Sequence, residues 1–83
     1  MNEPNMTALE TQVSGNHYKN FPIQPIEYGQ RNKLGYCECN VVKYVTRHPF
    51  KNKHRDVLKA IHNLEILLQL EYPEAYAEYL KGN

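Results

Sequence analysis

Lys43 and Arg47 are four residues apart, and so are Arg55 and Lys59. On a helix, i and i+4 lie on one face, so each pair sets two cations side by side. Arginine offers a planar fork to a phosphate and lysine a point charge. Tyr36, Asn40, Lys43 and Arg47 follow one another at i, i+4, i+7 and i+11, which places a ring, an amide, an ammonium and a guanidinium on one stripe. That set suits an anionic ligand with a base or sugar attached: cations for phosphate, Asn40 for a base edge or ribose hydroxyl, Tyr36 for stacking. Upstream, SGNHYKNFPIQP carries His17, Tyr18 and Lys19 in a stretch with the glycine and prolines of an ordered loop. Loops held by a scaffold often carry binding residues. The acids nearest these cations in sequence are Glu27, Glu38 and Asp56; Glu27 or Asp56 is expected to position them. From spacing alone, two solvated helix faces with routine surface charge are the better fit, because i, i+4 basic pairs are common.

Other chemistries lack their signatures. No glycine-rich phosphate loop of the Walker or dinucleotide type is present, and no serine sits in a nucleophile elbow. There is no H-E-x-x-H, no paired C-x-x-C and no EF-hand loop, so no metal is expected. Cys37 and Cys39 are two apart, which on a helix points them about 200° away from each other, as free thiols of a reducing compartment. A formal net charge of +1 provides no global field for DNA, so sequence-specific DNA binding is not expected and any anion site must be local. The polar start lacks the apolar core of a signal peptide, and the longest apolar run, Leu64 to Leu70, is too short to span a bilayer. The expectation is a cytoplasmic chain without membrane contact.

Eighty-three residues make one domain, and a chain this size buries only about 60–65% of its unfolded surface. Residues 1–13 read as a polar arm, with capping-box spacing between Thr7 and Glu10, and 14–83 as a single helical domain. A first helix is expected over Pro25–Leu34, with Pro25 at N1, Gly35 as the left-handed stop and Ile26 facing the core. A second runs over Tyr36–His48 and is ended by Pro49. A third starts near Asn52 or Lys53 and continues to Tyr72, its apolar stripe being Val57, Leu58, Ile61, Leu64 and Leu68. Apolar residues nearly all round its second half predict burial on more than one side, hence a homo-oligomer. Pro73 to Leu80 forms a short last helix. The fold class is all-α, three to four helices behind an N-terminal arm and loop. If the second and third helices pack antiparallel across Pro49, the two basic pairs face one groove.

Four blocks resemble the SaV-like family of small tailed-phage proteins, some of which carry a nucleotide-kinase label: SGNHYK at Ser14–Lys19, QPIEY at Gln24–Tyr28, NVVKYVTRH at Asn40–His48 and KNKHRDVLKA at Lys51–Ala60. The family pattern points to Asn16 through Lys19, to Pro25, Ile26 and Glu27, to Asn40, Lys43, Tyr44 and Arg47, and to Lys51, Asp56, Leu58, Lys59 and Ala60. Asn52 and Cys39 stand where the family usually has glycine. The resemblance implies a phage protein in an infected bacterium and phosphoryl transfer to a nucleoside monophosphate, with ATP and Mg²⁺ as requirements. The residues favour a different reading: binding of a phosphorylated or cyclic nucleotide without turnover, needing no cofactor, as counter-defence that sequesters a host immune signal. A third class, inhibition of a host enzyme through a tyrosine-rich surface, needs no basic groove.

Overall fold

The computed structural model describes residues 8–10 and 21–82, and over these it is all-α. Helices α1 (Pro25–Arg31), α2 (Tyr36–Arg47), α3 (His54–Glu71) and α4 (Pro73–Gly82) follow in order, with no strand among the described residues. The loop residues His17, Tyr18 and Lys19 lie outside the described set.

Helix α1 starts as its sequence dictates, with Pro25 preset for helical φ and Glu27 at the positive end. It stops earlier than expected. Leu34 N–H donates to the Gly29 carbonyl (3.0 Å) and Lys33 N–H to that of Gln30 (3.2 Å), the paired bonds of a Schellman stop. The left-handed residue of that stop is Lys33 (φ 56°) rather than Gly35, which is extended and caps the start of α2 instead. Ile26 does not reach the core either: it is exposed, and α1 buries Pro25 and Gly29. Gly29 is needed for close approach, because a Cβ there would stand 2.6 Å from Cys39 Sγ on α2. Before α1, the Gln24 amide donates to the Leu9 carbonyl, and Phe21 meets Phe50 edge-on with centroids 5.8 Å apart.

Helices α2 and α3 form an antiparallel hairpin. Arg47 bonds to Asp56 and Asn40 to Asn63, so seven residues back along α2 match seven forward along α3. The turn between them is tight: Lys51 N–H donates to Arg47 O (3.1 Å) and Lys53 N–H to His48 O (2.9 Å). It is closed by Lys53 at φ 54°, ψ −130°, a conformation costly for any residue with a Cβ. The line of α3 that faces α2 is Asp56, Ala60, Asn63 and Leu67, of which Asp56 and Ala60 are buried. Ala60 is the single buried hydrophobic among the described residues, and its small side chain lets the helices approach. The expected stripe of Val57, Ile61 and Leu64 is turned away from this line and stays about half open.

Proline at 73 forces Tyr72 out of helical geometry (φ −138°, ψ 67°), and the chain reverses. Helix α4 returns along α3, where Tyr79 Oη donates to Glu65 Oε2 at 3.0 Å. That bond and the negative charge of Glu65 push the Tyr79 ionisation upward. Among the described residues no helix is long and apolar enough to cross a membrane.

Candidate functional site

Built from the backbone upward, the site is the side of the α2–α3 hairpin next to its turn. Helical spacing brings Lys43, Tyr44 and Arg47 together on α2, and the antiparallel register delivers Lys59 from α3. The three cations converge on one ring: Lys43 Nζ lies 4.8 Å from the centroid of Tyr44, Arg47 Cζ 5.0 Å and Lys59 Nζ 5.6 Å. All are within cation–π range, and the ring's negative face offsets part of their mutual repulsion. A half-buried tyrosine thus holds three positive groups that would otherwise spread into solvent.

Their electrostatic circumstances differ. Arg47 is 12% exposed at its side chain and grips the fully buried Asp56 with two bonds, Nε to Oδ2 at 2.9 Å and Nη2 to Oδ1 at 3.2 Å. Asn52 Nδ2 adds a third bond to Oδ1 at 3.1 Å. The guanidinium bonds hold the Asp56 carboxyl down at about 2, Asn52 assists, and burial opposes them. Lys43 and Lys59 have no carboxylate partner among the described residues. Local charge is therefore positive even though Asp56 answers Arg47.

The remaining expected residues divide plainly. Asn40 is on the hairpin side of α2, its Nδ2 donating to Asn63 Oδ1 at 3.2 Å. Tyr36 opens α2 on the same stripe and is 82% exposed. Arg55 is exposed in the first turn of α3 and is not among the cations at the Tyr44 ring. Glu27 is held by Arg31 of its own helix at 2.9 Å, away from the basic cluster's ion pairs. Asp56 is where it was expected to act, on Arg47. No three of His, Cys, Asp and Glu gather into a metal-binding group among the described residues.

Sequence reasoning underweighted three residues. Tyr44 enters through the family pattern, although its position between two basic residues at i−1 and i+3 is itself the signal of a cation-bearing ring. Asn52 sits four before Asp56, a spacing that brings an amide to a carboxylate across one helical turn. Asn63 is the uncharged polar residue seven after Asp56, hence on the same line of α3.

A separate apolar groove of about 460 Å³ lies on the far side of α2, lined by Ile23, Pro25, Tyr28 and the valines Val41, Val42 and Val45. It contains none of the cations, so α2 presents a basic face and an aliphatic face. No curated protein and no solved structure matches the chain. Residues 12–65, which include both halves of the hairpin site, match a family described as protein of unknown function (DUF3310), and the chain belongs to that family.

Proposed function

We propose that this chain binds a phosphorylated nucleotide on the basic face of its α2–α3 hairpin and sequesters it, as a phage protein countering a host nucleotide signal. The observation that supports this reading is the convergence of Lys43, Arg47 and Lys59 on the Tyr44 ring, with the two lysines lacking carboxylate partners among the described residues. Three positive groups held close together repel one another, and a phosphate entering between the ammonium groups relieves that cost. Asn40 and the open ring of Tyr36 continue the same stripe. Seven residues from Tyr36 to Lys43 advance roughly 10 Å along the axis, so that a stacked base and its phosphate can be engaged together. The resemblance of the sequence to the SaV-like phage family motivates the choice of a nucleotide over a simple anion.

The kinase reading, transfer from ATP to a nucleoside monophosphate, asks Glu27 or Asp56 to hold Mg²⁺. Both carboxylates are engaged, Glu27 by Arg31 and Asp56 through both oxygens by Arg47 and Asn52. Phosphoryl transfer needs a metal bridging the phosphates, and these acids do not suit that role while so bonded. Binding is therefore preferred to turnover.

Calorimetry with a panel of linear and cyclic nucleotides, followed by chromatography of the recovered ligand, separates the readings. Tight binding, unaltered ligand and loss of affinity in Lys43→Ala and Lys59→Ala support sequestration. Diphosphate formed from ATP, Mg²⁺ and a monophosphate, and absent in Lys43→Ala, replaces it with the kinase. A panel without any binder overturns both and leaves the enzyme-inhibitor class.

A further inference from the structure

The hairpin is inside out. Its internal seam is largely polar, made of Arg47 with Asp56, Asn40 with Asn63, and the small Ala60, with Tyr44 and Leu67 as its larger apolar members. The apolar lines are displaced by one position on both helices. One step round α3 from the Asp56, Ala60, Asn63, Leu67 line lies Val57, Ile61, Leu64, Leu68. One step round α2 from Asn40, Tyr44 and Arg47 lies Val41, Val45 and His48. Each step is about 100°. In an antiparallel pair equal steps of the same sign fall on the same side of the seam, so the two displaced lines form one continuous face. Most of that face is open: Val57 is 38% exposed, Ile61 44%, Leu64 48% and Val45 53%, while Leu68 and Val41 at its edges are half-buried. Lys43 and Lys59, each one residue before a seam residue (Tyr44 and Ala60), are on the opposite side of the seam by the same 100° count.

We propose that this face is covered by a second copy of the chain, with α3 packed antiparallel on the partner's α3 through Val57, Ile61, Leu64 and Leu68. Three observations select a second copy over another occupant. First, the spacing 57, 61, 64, 68 is palindromic, with steps of four, three and four. Read in reverse it is unchanged, so Val57 meets Leu68 and Ile61 meets Leu64 in both directions, as a two-fold interface requires. Second, the ends are complementary. α3 begins with the exposed Arg55 beside an Asp56 already consumed by Arg47, and ends with Glu71 and no base. The same register sets the His54 imidazole, a hydrogen-bond donor, against the Glu71 carboxylate twice. Third, the size is right. The 18 residues of α3 run about 27 Å, and with α2 alongside at roughly 8–10 Å the face is about 20 Å across. A footprint on the order of 500 Å², before side-chain relief is counted, approaches the roughly 800 Å² per partner of a stable interface.

Sedimentation equilibrium of the full chain at micromolar concentration tests the proposal. The expected species has twice the 9.8 kDa mass of the chain. Ile61→Glu with Leu64→Glu is expected to weaken self-association by about 100-fold or more. Because that variant removes apolar contacts, a milder pair on exposed positions accompanies it. His54→Glu places acids opposite each other and weakens the dimer roughly three- to tenfold, and adding Glu71→Lys in the same chain restores it. A general folding defect does not produce such rescue. A wild-type chain that stays at monomer mass overturns the proposal and leaves the face to a different protein. A dimer indifferent to all these substitutions overturns the assigned face. Nucleotide binding is read separately: Lys59→Ala leaves the dimer intact if the two sides of the seam are independent, so failure of one reading is distinguishable from failure of the other.

Discussion

Arg47 and Lys43 belong to the same stripe of the same helix, one turn apart, and both touch the Tyr44 ring, yet the structure uses them differently. Arg47 is spent on Asp56, whose carboxylate is buried completely and bonded through both oxygens. Lys43, with Lys59 across the seam, has no carboxylate partner among the described residues. A basic residue becomes structural when burial makes its counter-charge irreplaceable, and becomes available to a ligand when the neighbouring chain offers only a ring. The turn end of the hairpin is thus a clamp, and the positions one turn further in carry the two ammonium groups on which the proposed anion binding rests.

Removing the clamp's acid is the severest way to break this contrast. Asp56→Ala leaves the largely buried Arg47 guanidinium uncompensated and is expected to cost about 3–5 kcal/mol in urea unfolding, close to all the stability a chain this size has. Acid attacks the same pair more gently. The Asp56 carboxyl is held at about 2 against an ordinary 3.8. A folded value below the unfolded one means that its stabilisation is complete above the unfolded value. It is lost as pH falls from 3.8 through about 2. Roughly 2 kcal/mol is at stake. Unfolding midpoints measured between neutral pH and pH 2 should show this limb in the wild type and not in Asp56→Asn.

The two lysines should behave in the opposite sense. Lys43→Ala and Lys59→Ala are each expected to weaken nucleotide binding by about 10- to 100-fold in calorimetry. Lys59 is exposed and Lys43 half-buried, so the unfolding free energy of Lys59→Ala should stay within about 0.5 kcal/mol of wild type and that of Lys43→Ala within about 1 kcal/mol. A large stability loss in either would place it with the clamp. The smallest effect sharpens the geometry of the turn. Lys53 holds φ 54° and ψ −130°, where a Cβ is costly, and among the described residues its ammonium bonds the Pro49 carbonyl at 2.7 Å. Lys53→Gly relieves that strain while loosening the unfolded chain, for a net gain of about 1 kcal/mol. A loss instead would mean that the Pro49 bond matters more than the backbone.

The positions of the helices and their breaks were legible because they rest on local chemistry. Pro25 opens α1, Pro49 closes off α2 and Pro73 separates α3 from α4, each by restricting the backbone of itself or its predecessor. The stripe that unites Lys43 with Arg47 and the convergence of Lys59 onto it followed from helical spacing and an antiparallel turn. Less legible was the end of α1, where Lys33 took the left-handed place that Gly35 suits better. A Schellman stop depends on how the next helix departs as well as on the residue's own preference.

Sequence alone determined that this chain is helical, where its helices begin and break, and that four cations are dealt out in two i, i+4 pairs. Tertiary structure decided which of those cations is consumed and which of two adjacent lines on α3 is turned inward. Ile26 and the Val57–Leu68 stripe have the hydrophobicity of core residues, yet lie outside the hairpin seam, while Asp56 and Asn63 lie within it. The reason is geometric. Adjacent stripes on a helix differ by a rotation of about 100°, which periodicity cannot choose between when both are occupied. A buried, doubly bonded ion pair in one register makes the choice.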